Sequence, residues 1–234
     1  FRSAISSVAY AGEEILWVLI PVIGMMSYKY MFYATLCIVL LMFLVTMSYR
    51  QTIDAYPGGG GSYIVAKDNL GTIPGLVAGG SLTIGYILTV AVSACAGTAA
   101  ITSAIPSLFP YKVAITLLLI LFMTIGNLRG LRESSKMFGI PTYLFIISIL
   151  VMIVWGICKV KILGYTPVAA YKIPQVTGDI TLFLFLRSFC SGCTALTGIE
   201  AVSNGIPNFK EPCQKNAKKV LGLLSFTVFI VFSG

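Results

Sequence analysis

The stretch CSGCTALTGIEAVSNG, residues 190–205, decides the fold. It lies inside an apolar run over 182–206, where a lipid-spanning helix should be oily and regular. Instead it carries Gly192, Gly198 and Gly205, two threonines and Glu200. Glycine weakens a helix because it loses the most backbone freedom on folding. An ionisable side chain at bilayer depth is expensive and marks a functional site by default. Irregular backbone is tolerated there only where it is buried in protein or lines a cavity. The stretch therefore reads as an interrupted helix whose freed carbonyls face a cavity, with Glu200 beside something positive. The competing explanation is close packing through small residues, with Glu200 satisfied structurally. Arg187 shares the block but sits too far along it for direct contact.

The rest of the 234-residue chain sets the same scene. Hydrophobic residues make up 57% and charged residues 10%, and mean hydropathy is +0.93. Soluble domains carry about 25% charged residues. The apolar residues come in blocks at 5–26, 31–49, 72–105, 113–127, 140–158, 182–206 and 220–234. A helix needs about 20 apolar residues to cross a bilayer core. Most blocks fit, and the third is long enough to tilt. The chain is therefore expected to be an all-α integral membrane protein of about seven helices. The last block stops at VFIVFSG and is read as truncated. Residues 1–234 form one transmembrane transport domain in this reading. A Gly-rich cytoplasmic segment falls at 50–71 and a basic cytoplasmic loop at 207–219.

The net charge of +8 reads as topology, with no nucleic-acid partner. With the N-terminus inside, the cytoplasmic side holds Arg2, Arg50, Lys67, Arg129, Arg132, Lys136, Lys210, Lys215, Lys218 and Lys219. The outside holds Lys29, Lys112, Lys159, Lys161 and Lys172. The heavier basic load inside favours a cytoplasmic N-terminus.

Two further blocks carry polar signals. The first reads SSVAYAGEEILWVLIPVIG, in which Ser6, Ser7 and Gly12 weaken continuity and Glu13 and Glu14 are costly at depth. The first and sixth blocks are thus both expected to be broken. Paired interruptions at corresponding positions are a mark of transporters built from repeats, with the substrate site at the breaks. In the third block Tyr86, Thr89 and Ser93 follow at spacings that put three hydroxyls on one helix face. Thr197 and Glu200 are expected to share a face of the sixth block, and Tyr10 adds a phenol at the first break. Hydroxyls, carbonyls and one carboxylate can replace a cation's hydration shell. The plainer alternative is that such hydroxyls bond their own helix or a neighbour.

SSVAYAGEEILWVLIP, YPGGGGSYIVAKDNLG, NLRGLRESSKMFGIPTYLF and ALTGIEAVSNGIPNFKEP together resemble the amino acid–polyamine–organocation superfamily. They are most similar to its KimA-type potassium uptake proteins, related to the KUP transporters. The resemblance implies a LeuT-like fold of two inverted five-helix repeats plus extra helices, of which this chain holds the first repeat and the start of the second. It also implies potassium import driven by protons. The cation site carried over is Tyr10, Tyr86, Thr89, Ser93, Thr197 and Glu200, with potassium as the bound metal and Glu200 as the proton-coupling candidate. Tyr56, Pro57, Gly58, Gly59, Gly60 and Gly61 fall at the inner gate. The family pattern before the first break has Asp where this chain has Ser3, and Glu13 or Glu14 is the available substitute. The resemblance also implies a soluble C-terminal domain that can bind cyclic di-AMP, which is expected to lie beyond these 234 residues. Potassium, protons and the lipid bilayer are the implied partners, in the plasma (inner) membrane; a homodimer is left open.

The remaining features carry less. PGGGG lacks the Gly-Lys-Ser/Thr of a phosphate loop, so close packing or a hinge is the better account. Cys190 and Cys193 form a C-x-x-C inside a membrane block, and all six cysteines are expected as small reduced residues. Without histidine or a nucleophile–base pair, neither an enzyme nor a cofactor is expected. Two alternatives stay open: an amino acid permease of the same superfamily, and a non-transporting membrane sensor or scaffold. The permeases' Gly-Ser-Gly first break is not found, and the acids of VAYAGEE would repel a substrate carboxylate.

Overall fold

The computed structural model describes residues 2–128, 130–164 and 178–233, with side chains from 7–128, 130, 139–164 and 178–233. Every regular element among the described residues is helical. The α-helices are α1 (Arg2–Ile23), α2 (Ser27–Ala55), α3 (Gly61–Leu70), α4 (Thr72–Ala104), α5 (Lys112–Leu128), α6 (Leu131–Lys161), α7 (Leu182–Gly192), α8 (Glu200–Asn204) and α9 (Cys213–Ser233). Five apolar segments are long enough to cross a membrane, the first of which, Ser7–Ala55, holds both α1 and α2. The chain is an all-α integral membrane protein. Ser3 and the topology residues Arg2, Arg129, Arg132, Lys136 and Lys172 lie outside the described side chains.

The helices fall into two compact units, one of Phe1–Gly58 with Thr142–Gly234 and one of Gly59–Pro141. In the first unit, α1 presents Val8, Ala11, Ile15, Leu19 and Ile23, all buried, at the three- and four-residue steps that line one helix face. Ile15, Leu19 and Ile23 pack with Ala34 and Ile38 of α2 and with Leu184, Phe185 and Phe189 of α7. Val8 and Ala11 join Met42, Ile199, Val202, Leu221, Leu224 and Val228 in a second cluster that ties α2, α8 and α9 together. Thr46 of α2 and Ser225 of α9 add a hydroxyl pair at 2.8 Å. α1 and α7 touch closely because Gly192 has no side chain. A Cβ there would stand 2.5 Å from Ile38 Cδ1 and 2.6 Å from Ile15 Cδ1.

In the second unit α3 lies against α4. Gly75 and Gly79 of α4 leave room for Lys67 and the Tyr63 ring of α3. Thr98 of α4 pairs with Thr116 of α5 at 2.8 Å. Large apolar side chains elsewhere face outward, among them Phe32, Phe43, Leu117, Phe122 and Trp155. Surface of that kind aggregates in water, and it suits contact with lipid tails.

One expectation changes. The first block is not broken: α1 is a single α-helix through SSVAYAGEE. One glycine costs a helix interior only about 1 kcal/mol, and Gly12 is used for packing, since a Cβ there would approach Met31 Cε at 3.3 Å. The backbone departs from α geometry after Pro21, at Ile23 with φ −119 and Gly24 with φ 53. The Gly-rich segment contains a short helix, α3, that the apolar blocks did not mark. Gly59, Gly60 and Gly61 have φ of 78, 90 and 45, a left-handed run open to glycine without penalty. That run ends the linker and starts α3 within a few residues of the end of α2.

Candidate functional site

The sixth block does break, and in an ordered way. α7 stops at Gly192, a 3-10 turn covers Cys193–Leu196, and α8 begins at Glu200. Between them Thr197 is extended, with φ −63 and ψ 135, and Gly198 is left-handed at φ 90. The bonds here reach back three residues, from Thr197 N–H to Thr194 O at 3.1 Å and from Ile199 N–H to Leu196 O at 3.4 Å. Shorter loops of this type have poorer geometry than the α ladder, so their carbonyls keep more of their capacity to accept. Because the backbone is not helical from Thr197 to Ile199, the expected shared face of Thr197 and Glu200 does not follow from helical spacing.

A hydroxyl cluster sits where this break meets α1. Thr197 Oγ1 lies 2.7 Å from Ser7 Oγ and 2.8 Å from Thr194 O, and Tyr10 donates to Ser7 Oγ at 3.3 Å. A threonine hydroxyl has one proton. Thr197 shares it between Ser7 Oγ and the Thr194 carbonyl, and Tyr10 donates to the same Ser7 oxygen. The Ser7 oxygen thus joins Tyr10 of the same helix to Thr197 of the break. Ser7 is fully buried and Tyr10 nearly so. Buried neutral oxygens of this sort can serve a weakly charged cation that sheds its water.

Glu200 is partly buried at the start of α8. Its carboxylate accepts from Gly198 N–H, at 3.1 and 3.3 Å to its two oxygens. The left-handed turn at Gly198 is what carries that N–H back toward the acid. Ser203, on the next turn of α8, is fully buried, and its hydroxyl has no partner among the described residues. A buried unpaired hydroxyl is costly unless something occupies the space beside it.

Tyr86, Thr89 and Ser93 belong to the second unit, where α4 is one unbroken helix through all three. They therefore share one helix face. Thr89 donates to Gly85 O at 2.8 Å, which fits the plainer account of helix hydroxyls, although its oxygen lone pairs stay available. Glu13 is exposed and accepts from Trp17 Nε1 at 3.2 Å. It lines an apolar surface groove with Leu16, Trp17, Ile20 and Met31, and that pairing accounts for it on its own helix. Of the residues expected at the inner gate, Tyr56 closes α2 and Pro57 and Gly58 are exposed. All six cysteines are free thiols.

Sequence reasoning counted Ser7 only as a helix-weakening residue, whereas it is the oxygen that joins Tyr10 to Thr197. Its position three residues before Tyr10, on the same face of one helix, was the available signal. Ser203 was missed outright. Nothing in a run of small polar residues tells which hydroxyl the tertiary fold will bury.

A family model described as amino acid permease matches residues 1–233. The chain is 48% identical over 233 residues to the protein named potassium transporter KimA from Bacillus subtilis (strain 168), covering 99% of this chain and 38% of that relative. The chain thus spans well under half the length of the curated relative it matches.

Proposed function

The chain belongs to the amino acid permease family, and from that premise we propose that it works within a secondary active transporter that takes up potassium together with protons. The observation that carries this reading is the chain of buried hydroxyls from Tyr10 through Ser7 to Thr197, set against the break before Glu200. Such oxygens suit a large monovalent cation better than a soft metal, which would call for sulfur or imidazole. The name of the similar Bacillus protein supports the same cargo.

In this reading a dehydrated potassium ion binds the oxygens of Tyr10 and Thr197 and carbonyls freed by the break. Ser7 holds those two hydroxyls in place. Tyr86, Thr89 and Ser93 are kept as cation ligands on the family resemblance. Glu200 is the proton carrier, its carboxyl taking the proton while potassium rests on the neutral hydroxyl and carbonyl oxygens, so that one loaded state holds both ions. The glycines of 58–61 form the inner gate, and the N-terminus is cytoplasmic, in the plasma (inner) membrane. The second reading, an amino acid permease, rests on the family description itself.

The test is uptake of rubidium, as a potassium tracer, by the full-length protein in a strain deficient in potassium transport, at two external pH values. Uptake that rises with acidity, and loses that pH response in Glu200→Gln, supports proton-coupled symport through Glu200. Uptake that is independent of pH removes the coupling. No uptake at either pH, with the protein present in the membrane, turns the assignment to amino acids, and failure of both cargoes leaves a sensor or scaffold.

A further inference from the structure

Away from the hydroxyl cluster, the polar ends of α2 and α9 form an open surface pocket of about 340 Å³ lined by Arg50, Asp54, Gln214, Lys215, Lys218 and Lys219. We propose that this pocket is a binding site for a phosphate group, with Arg50, Lys215 and Lys219 as its anion ligands. Four cations and one carboxylate line it, and Lys218 is already spent on an ion pair with Asp54. Arg50, Lys215 and Lys219 are exposed and form no ion pair among the described residues. The walls are held by contacts that do not involve these three side chains. The Gln214 amide donates to Ile53 O at 3.3 Å and to Asp54 O at 3.5 Å. It thereby covers carbonyls at the negative end of α2, which would otherwise repel an anion. Deeper along the same two helices, the Thr46–Ser225 pair fixes their approach.

The pocket also takes in Gln214 and Lys215 of the first turn of α9, a 21-residue helix whose dipole favours negative charge at that end. A tetrahedral oxyanion presents several acceptors at once, matching an Arg fork and two mobile ammonium groups. Two sources supply that chemistry at a membrane surface: the headgroup of an anionic phospholipid, which basic residues at helix ends attract, and free inorganic phosphate.

The experiment compares melting temperatures of the purified full-length protein in neutral detergent. One arm adds sodium phosphate against sodium chloride at equal ionic strength. The other adds phosphatidylglycerol against phosphatidylcholine. Lys215→Gln/Lys219→Gln is the test variant, since both side chains are exposed and can be changed without disturbing the core. Lys29→Gln is the control for lost charge. The expected result is stabilisation by at least one phosphate source, with apparent affinity at least tenfold weaker in the double variant and unchanged in Lys29→Gln. Stabilisation by phosphatidylglycerol alone assigns the site to lipid, and stabilisation in the phosphate arm admits free phosphate. No response to either source overturns the proposal. So does a double variant that responds as the wild type, or an equal loss in Lys29→Gln.

Discussion

Ser7 and Thr197, 190 positions apart in the chain, place their hydroxyl oxygens 2.7 Å from each other. One lies mid-helix and the other at the only extended residue between the 3-10 turn after α7 and Gly198. The contact therefore couples a continuous helix to a broken one, and Tyr10 is attached to it through the same Ser7 oxygen.

Ser7→Ala removes that oxygen from a fully buried position. It leaves Tyr10 without this acceptor and Thr197 without its cross-helix partner. The expected loss is about 1–2 kcal/mol of stability, read as a lower melting temperature in detergent. Uptake should fall more than expression does, because two proposed ligands lose their alignment. Unchanged rubidium uptake in Ser7→Ala would separate the hydroxyl chain from transport.

Glu200 is expected to act through charge as well as shape. Glu200→Gln keeps the size of the side chain and removes the carboxylate that accepts from Gly198 N–H. Uptake in this variant should lose its pH dependence or vanish, while the protein still folds. An intact acid-stimulated profile would exclude Glu200 as the coupling residue.

Gly198→Ala puts a Cβ on a residue with φ 90. Left-handed backbone of that kind costs a non-glycine residue about 1–3 kcal/mol. The turn is expected to relax away from this geometry, releasing the Glu200 carboxylate from the backbone. The variant should show both a lower melting temperature and a transport defect. A variant as active and as stable as the parent protein contradicts any need for this geometry.

Gly192→Val tests packing without backbone strain, because Gly192 has φ −67. The added side chain runs into Ile15 and Ile38, where overpacking costs about 1–3 kcal/mol. Gly192→Ala should lose less. Thermal stability in detergent for the pair gives the ranking, and a Val variant more stable than Ala would show that the two isoleucines can move aside.

The membrane helices were legible because hydropathy is local: each block of apolar residues declares its own need for lipid whatever surrounds it. The break before Glu200 was legible for a similar reason, since Gly192, Gly198 and Gly205 fall within a single span beside an acid. The same reasoning misjudged α1. Ser6, Ser7 and Gly12 carry the same local weakness, yet Ser7 is held by Thr197 and Gly12 lies close to Met31, and the helix stays whole. It also overlooked α3, whose start depends on three successive glycines taking positive φ. Thus the amino-acid order by itself determined where the chain enters lipid and where one span must loosen. Only the tertiary structure decided which weak points remain helical and which hydroxyls meet, because both depend on partners from distant parts of the chain.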